Sequence, residues 1–171
     1  RLMITKEDIN NLLRREGHLT TEDLGLLCFT FNVGGNDPDE KAVSGLFDTL
    51  YDMETFPDLI CIGIQEMVEL NAQSMIGSSL HAVDHQSHKW QEALIGYLNK
   101  IVDNMDIGSQ YLVVAEEVLL GLWICLISTE DLRPSLRDIC IGHCACGIGG
   151  MLANKGGVAV RFKVQDSTGT V

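Results

Sequence analysis

Three short stretches carry residue types able to handle a phosphate and a metal ion. The first is Phe29-Thr30-Phe31-Asn32-Val33-Gly34-Gly35, an amide side chain closing an alternating run, followed by glycines that let a ligand approach the backbone. The second is an almost wholly apolar run, Asp58–Ile64, that closes on Gln65 and Glu66. An unpaired carboxylate is costly to bury, so Glu66 calls for a Lys, an Arg or a metal. Magnesium suits it, being a hard cation that often takes only one or two protein carboxylates beside substrate phosphate. The third is Gly147–Gly157, where five glycines surround Lys155, with Asn154 beside it. Backbone amides in such a loop can turn inward on an anion, and Lys155 adds a point charge for phosphate. This is not a P-loop, because the Gly-Lys-Ser/Thr order is missing. Each stretch has an ordinary alternative: a turn-forming Asn32, a solvated strand end at Glu66, a flexible hairpin around Lys155.

The elements that must position these residues read as α/β. Leu24–Asn32 alternates, with Leu27, Phe29 and Phe31 on one face, and predicts a strand. Lys41–Met53 places Val43, Leu46, Phe47, Leu50 and Tyr51 at helical spacing, and Pro57 ends it. Asp58–Ile64 reads as a strand covered on both faces. Strand, helix, strand in that order predicts a parallel pair with a right-handed crossover. Asn32 and Gln65-Glu66 then share the sheet edge where open α/β sheets bind ligands. Trp90, Leu94, Tyr97, Leu98 and Ile101 predict a second helix, with His81, His85 and His88 in a polar connection before it. Strands follow at Gln110–Ala115, Leu119–Ser128, Leu136–Ala145 and Gly157–Val164. Residues 1–23 read as a leader with a short peripheral helix capped by Thr5, and 24–171 as the N-terminal part of one α/β domain. Asp166–Thr170 reads as a hairpin turn with Val171 opening a returning strand, so a piece of a longer chain is expected.

The formal charge is −12, a field that repels polyanions, so no nucleic-acid partner is expected. Val118–Ser128 is apolar but too short to cross a bilayer. The six cysteines mostly lie in apolar, strand-like runs and no signal-peptide pattern opens the chain, which points to a reducing, cytoplasmic setting. Cys140, His143, Cys144 and Cys146 form a cluster whose spacing matches no common zinc pattern, and buried strand cysteines are the alternative.

Taken together and in order, these stretches resemble the first half of the inositol polyphosphate 5-phosphatase family. Phe29–Gly35 resembles that family's Thr-Trp-Asn-Val-Asn-Gly opening. Gln65-Glu66-Met67-Val68-Glu69-Leu70-Asn71 resembles its Gln-Glu block, and Tyr111 with Leu120-Gly121-Leu122 its next pair of strands. Gly147–Phe162 resembles its Gly-Asn-Lys-Gly segment and the strand after it. The departures are Phe31 for the family's Trp, Gly35 for its second Asn, and Ala153 for the Gly before Asn-Lys. The resemblance implies a deoxyribonuclease-I-like four-layer α/β sandwich, here only its first half, and hydrolysis of the 5-phosphate of phosphoinositides or inositol polyphosphates. It implies Glu66 as the Mg2+ ligand, Asn32 beside it orienting the metal's water or the scissile phosphate, and Asn154 and Lys155 on a second headgroup phosphate. A membrane would be met through the lipid substrate only, at the periphery. The family's later blocks, with the general acid/base His and the water-activating Asp, are absent, so the stretch by itself is expected to be inactive. A noncatalytic interaction fragment and a nuclease of the same superfamily are the other readings.

Overall fold

β1 (Leu26–Asn32) and β2 (Leu59–Gln65) lie side by side and parallel, with Leu26 opposite Leu59 and Asn32 opposite Gln65. The structure is a computed structural model and describes residues 24–52, 56–68, 80–106, 108–146 and 156–164. The other flank of β2 pairs antiparallel with β4 (Leu122–Thr129), which pairs antiparallel with β3 (Tyr111–Leu119), giving the order β1-β2-β4-β3. β2 is therefore paired on both flanks, and Leu59, Ile60, Ile62 and Ile64 are all buried, with Cys61 and Gly63 half-buried on the face away from the helices. A second, two-stranded sheet pairs β5 (Leu136–Ala145) with β6 (Gly156–Val164).

The β1–β2 crossover contains α1 (Glu40–Phe47), which Asp39 caps by accepting from the Ala42 N–H at 2.6 Å. The expected helix Lys41–Met53 tightens at Asp48–Asp52 into a 3₁₀ turn, where Asp48 and Thr49 are weak helix formers. The second helix, α2 (Leu80–Met105), is 26 residues long. It begins ten residues before the Trp90 stripe, so His81, His85 and His88 lie within it rather than in a connection, which corrects the expectation. Its first turns lack an apolar stripe and so gave no periodic signal. His85 and His88 are exposed, and His88 Nε2 lies 3.7 Å from Asp84 one turn earlier.

Strand alternation sorts two faces. Phe29, Phe31, Ile62, Ile64 and Trp123 face α1 and α2, where Phe47, Trp90, Leu94, Leu98 and Ile101 close the core. The Phe29–Phe47 and Phe31–Trp90 ring pairs meet edge to face, at 5.7 and 6.3 Å. On the opposite face Leu59 and Leu126 bury against Leu136, with Ile139, Val160 and Phe162 of the second sheet packed around them. The layers are thus helices, sheet, sheet. The second sheet lies over β3 and β4, and the matching face of β1 remains open, with Leu26 53% exposed. β3 starts level with β2, because the Tyr111 hydroxyl donates to the Pro57 carbonyl at 2.6 Å. β1, β2 and β3 consequently end at the same edge. The predicted leader helix, residues 1–23, and the Asp166–Thr170 turn lie outside the described residues.

Candidate functional site

At that common edge three chain reversals are laced by backbone hydrogen bonds. The Val33 N–H donates to the Gln65 carbonyl at 2.9 Å, the Gly35 N–H to the Glu66 carbonyl at 2.7 Å, and the Met67 N–H to the Gly121 carbonyl at 3.0 Å. Glu66 is therefore gripped on both sides, by the loop after β1 and by the β3–β4 turn. The grip holds Glu66 at φ 51°, a left-handed conformation that L residues other than Gly and Asn enter at a cost. Gln65 still obeys strand alternation and shares a face with Thr30, whose hydroxyl accepts from Gln65 Nε2 at 2.9 Å. The left-handed step at Glu66 then breaks the alternation. The residue is exposed and its carboxylate joins no ion pair among the described residues. The sequence reading demanded a partner for a buried carboxylate. Among the described residues this one instead stays exposed to solvent.

Asn32 is exposed on the open face of β1, directly beside Gln65. Its Oδ1 accepts from the Gly34 N–H at 3.0 Å, a local turn. The turn-forming role weighed from the sequence is thus real, and it orients the side chain: with Oδ1 held, Nδ2 is the donor left for a ligand. Gly34 and Gly35 both take positive φ, 56° and 75°, which supplies the reason for the glycine pair.

Asn154 and Lys155 lie outside the described residues. The strands that flank them are described. Ala145 and Gly156 face each other at the open end of the hairpin. A methyl group on Gly156 would come within 2.5 Å of Leu119 Cδ2, so the hairpin end rests on the last residue of β3. Ala145 and Gly156 therefore lie at the edge that carries Asn32 and Glu66.

Sequence reasoning missed one pair at this edge. His143 on β5 faces Glu117 on β3, with Nδ1 3.0 Å from Oε1, bridging the two sheets. Its neighbour Glu116 points to the other face and accepts from Trp123 Nε1 at 2.9 Å. The doublet Glu116-Glu117 within an apolar strand was the available signal. The cysteine cluster disperses for the same reason of alternation. Cys140 and Cys144 face outward, Arg161 Nη2 reaching Cys140 Sγ at 3.6 Å, while His143 faces inward. Cys140, Cys144 and Cys146 are exposed rather than buried, and no group of three metal-ligating side chains forms among the described residues. Cys125 is the one fully buried thiol, and burial raises its pKa.

The pattern of Endonuclease/Exonuclease/phosphatase family 2 matches residues 29–171. The type IV inositol polyphosphate 5-phosphatase 9 of Arabidopsis thaliana is 28% identical over 96% of this chain and 41% of its own length. The polyphosphatidylinositol phosphatase INP53 of Saccharomyces cerevisiae is 30% identical over 84% of this chain and 12% of its own. The chain thus spans about two fifths of the first of these relatives and less of the second. Among solved structures, the inositol polyphosphate 5-phosphatase domain of a synaptojanin, in complex with inositol (1,4)-bisphosphate and calcium, superposes with a TM-score of 0.66 at 23% identity. That match covers 92% of this chain and 42% of the other. It shares the mixed α/β sandwich described above.

Proposed function

Because the chain belongs to Endonuclease/Exonuclease/phosphatase family 2, we propose that it forms the front part of an inositol polyphosphate 5-phosphatase domain, and that the intact domain hydrolyses the 5-phosphate of phosphoinositides or soluble inositol phosphates. The observation that carries this reading is the convergence of Asn32, Glu66 and the ends of the β5–β6 hairpin on one sheet edge. The curated relatives, named for 5-phosphatase activity, support the substrate class.

Magnesium fits the donor set. Glu66 offers exposed carboxylate oxygens with no protein cation beside them among the described residues, and this ion commonly binds through one or two carboxylates with the rest of its shell water and phosphate. When bound, Mg2+ would neutralise charge developing on the phosphoryl oxygens. The chain's own groups do the rest of the positioning. Asn32, its Oδ1 held by Gly34, would present Nδ2 to a phosphate oxygen or orient the metal's water. Lys155 and Asn154 grip a second headgroup phosphate, which fixes the ring relative to Glu66. The role of the −12 charge is negative: it disfavours nonspecific polyanions such as nucleic acid, so a membrane is met through the lipid substrate. The six free cysteines fit a cytoplasmic location.

The test is phosphate release from phosphatidylinositol 4,5-bisphosphate. Glu66→Ala in the intact protein abolishes magnesium-dependent turnover, and surviving activity would remove Glu66 from the metal. The 171-residue chain alone releases nothing above blank, since it spans two fifths of the type IV relative. Turnover by the chain alone would show that the machinery is complete without the rest.

A further inference from the structure

The Glu117–His143 bridge lies at the ligand edge and is used by nothing described so far. Glu117 is two residues from the end of β3 and its side chain is only 18% exposed, whereas His143 is 51% exposed. His143 belongs to the inward set of β5, opposite Val158 of β6, so it faces the cleft between the two sheets. That is also the face of the first sheet on which Asn32 and Gln65 project.

A carboxylate that accepts from one ring nitrogen fixes an imidazole's orientation and tautomer, and leaves the other nitrogen for a ligand. Here Glu117 engages Nδ1, and Nε2 makes no hydrogen bond among the described residues. β3 is two strands from β2 in the sheet order and Glu117 is level with Gly63, three residues before Glu66, which places the bridge ~14 Å from the Glu66 end. The Glu66 and His143 side chains, each reaching several ångströms into the cleft, narrow that separation to about the span of a ring phosphorylated at both ends. The geometry points to His143 as a substrate-contacting specificity residue, its Nε2 meeting a hydroxyl or phosphate oxygen at the non-reacting end of an inositol phosphate, with Glu117 as its positioning residue. This rests on the 5-phosphatase reading above.

The experiment uses the 171-residue chain with 15N-labelled imidazole and Lys side chains, titrated with inositol (1,4)-bisphosphate and, separately, inorganic phosphate, in magnesium. The His143 Nε2 resonance shifts saturably with the inositol bisphosphate and far less with inorganic phosphate. His143→Ala weakens binding about tenfold, the size of one lost hydrogen bond to a charged group. Glu117→Ala weakens it several-fold, and Glu117→Gln, which keeps an acceptor for Nδ1–H, restores most of the affinity. A bridge that only joins the sheets would lower the melting midpoint in both Ala variants and leave affinity and the Nε2 resonance unmoved; that result overturns the inference. If Lys155 responds to the ligand and His143 does not, the inference falls and the 5-phosphatase reading stands. If neither responds, the inference falls, and the 5-phosphatase reading is decided by Glu66→Ala turnover in the intact protein.

Discussion

Replacing Glu66 separates the backbone cost of the site from its chemistry. The residue is held at φ 51° by hydrogen bonds from Gly35 to its carbonyl and from Met67 to Gly121. A left-handed conformation costs an ordinary L residue about 1–2 kcal/mol. Gly removes that cost but gives back about 0.5–1 kcal/mol in unfolded-state entropy, so Glu66→Gly should gain about 0.5 kcal/mol. Asn tolerates the same φ with less entropy to lose and should gain at least as much. Ala relieves nothing, so Glu66→Ala should match the parent. The stability order in urea at pH 7 without metal is therefore Gly and Asn above Ala and Glu. Added magnesium reverses it. An ion that binds only the folded parent stabilises it by about 2.7 kcal/mol at a hundred times its Kd, and the variants should gain little. A loss above about 1 kcal/mol in metal-free Glu66→Gly would refute this, because the carboxylate would then be holding the fold rather than waiting for an ion.

Three further outcomes follow from particular contacts. Tyr111→Phe removes the buried hydroxyl that donates to Pro57 at 2.6 Å and should cost about 1–2 kcal/mol in urea unfolding. Burial first, then the nearby Asp58 charge, raises the Tyr111 pKa well above its ordinary value. Its contribution is thus complete below the unfolded-state pKa of about 10 and is lost as pH climbs from there toward the folded value, a slope that Tyr111→Phe should lack. Gly156→Ala forces a methyl onto the Cys144 carbonyl and to 2.5 Å from Leu119 Cδ2. With backbone in the way it should cost about 1–3 kcal/mol and weaken inositol phosphate binding together, read by melting and titration on one sample. Asp39→Ala removes the cap on an eight-residue helix and should cost about 1 kcal/mol, with its helical signal reduced and ligand affinity unchanged.

What the sequence revealed and what it hid divide along a physical line. β1, β2, β5 and β6 were legible within two residues, because strands with one or two covered faces must repeat their apolar residues at period two or in unbroken runs. The parallel β1–β2 pairing followed from the helix between them. The start of α2 was hidden, since its first turns, around His81 and His85, carry no apolar stripe to mark helical period. The 3₁₀ turn at Asp48–Asp52 was hidden because the apolar spacing through Leu50 fits either helix. Asn32 and Glu66 were legible as positions at an edge. The left-handed backbone of Glu66 was not, because no glycine or asparagine marks it.

The Glu117–His143 bridge shows why that last kind of feature escapes a linear reading. Its partners are 26 residues apart and on different sheets, and whether they meet depends on register in both. β3 and β5 each carry a register shift, between Val113 and Ala115 and between Arg137 and Cys140. A strand slipped by one residue turns every later side chain to the opposite face. Upstream of the β3 irregularity Val113 faces the helix-side core, and beyond it Val118, of opposite parity, faces that same core. In β5 the irregularity, with Asp138 at φ 51°, precedes the stretch in which His143 points inward and Cys140 and Cys144 outward. Had either strand run without its irregularity, Glu117 and His143 would face apart, and without that of β5 Cys144 would stand where the imidazole now does. The two bulges therefore decide which side chain the cleft receives, which is why they, rather than composition, separate an oriented imidazole from a row of outward thiols at this edge.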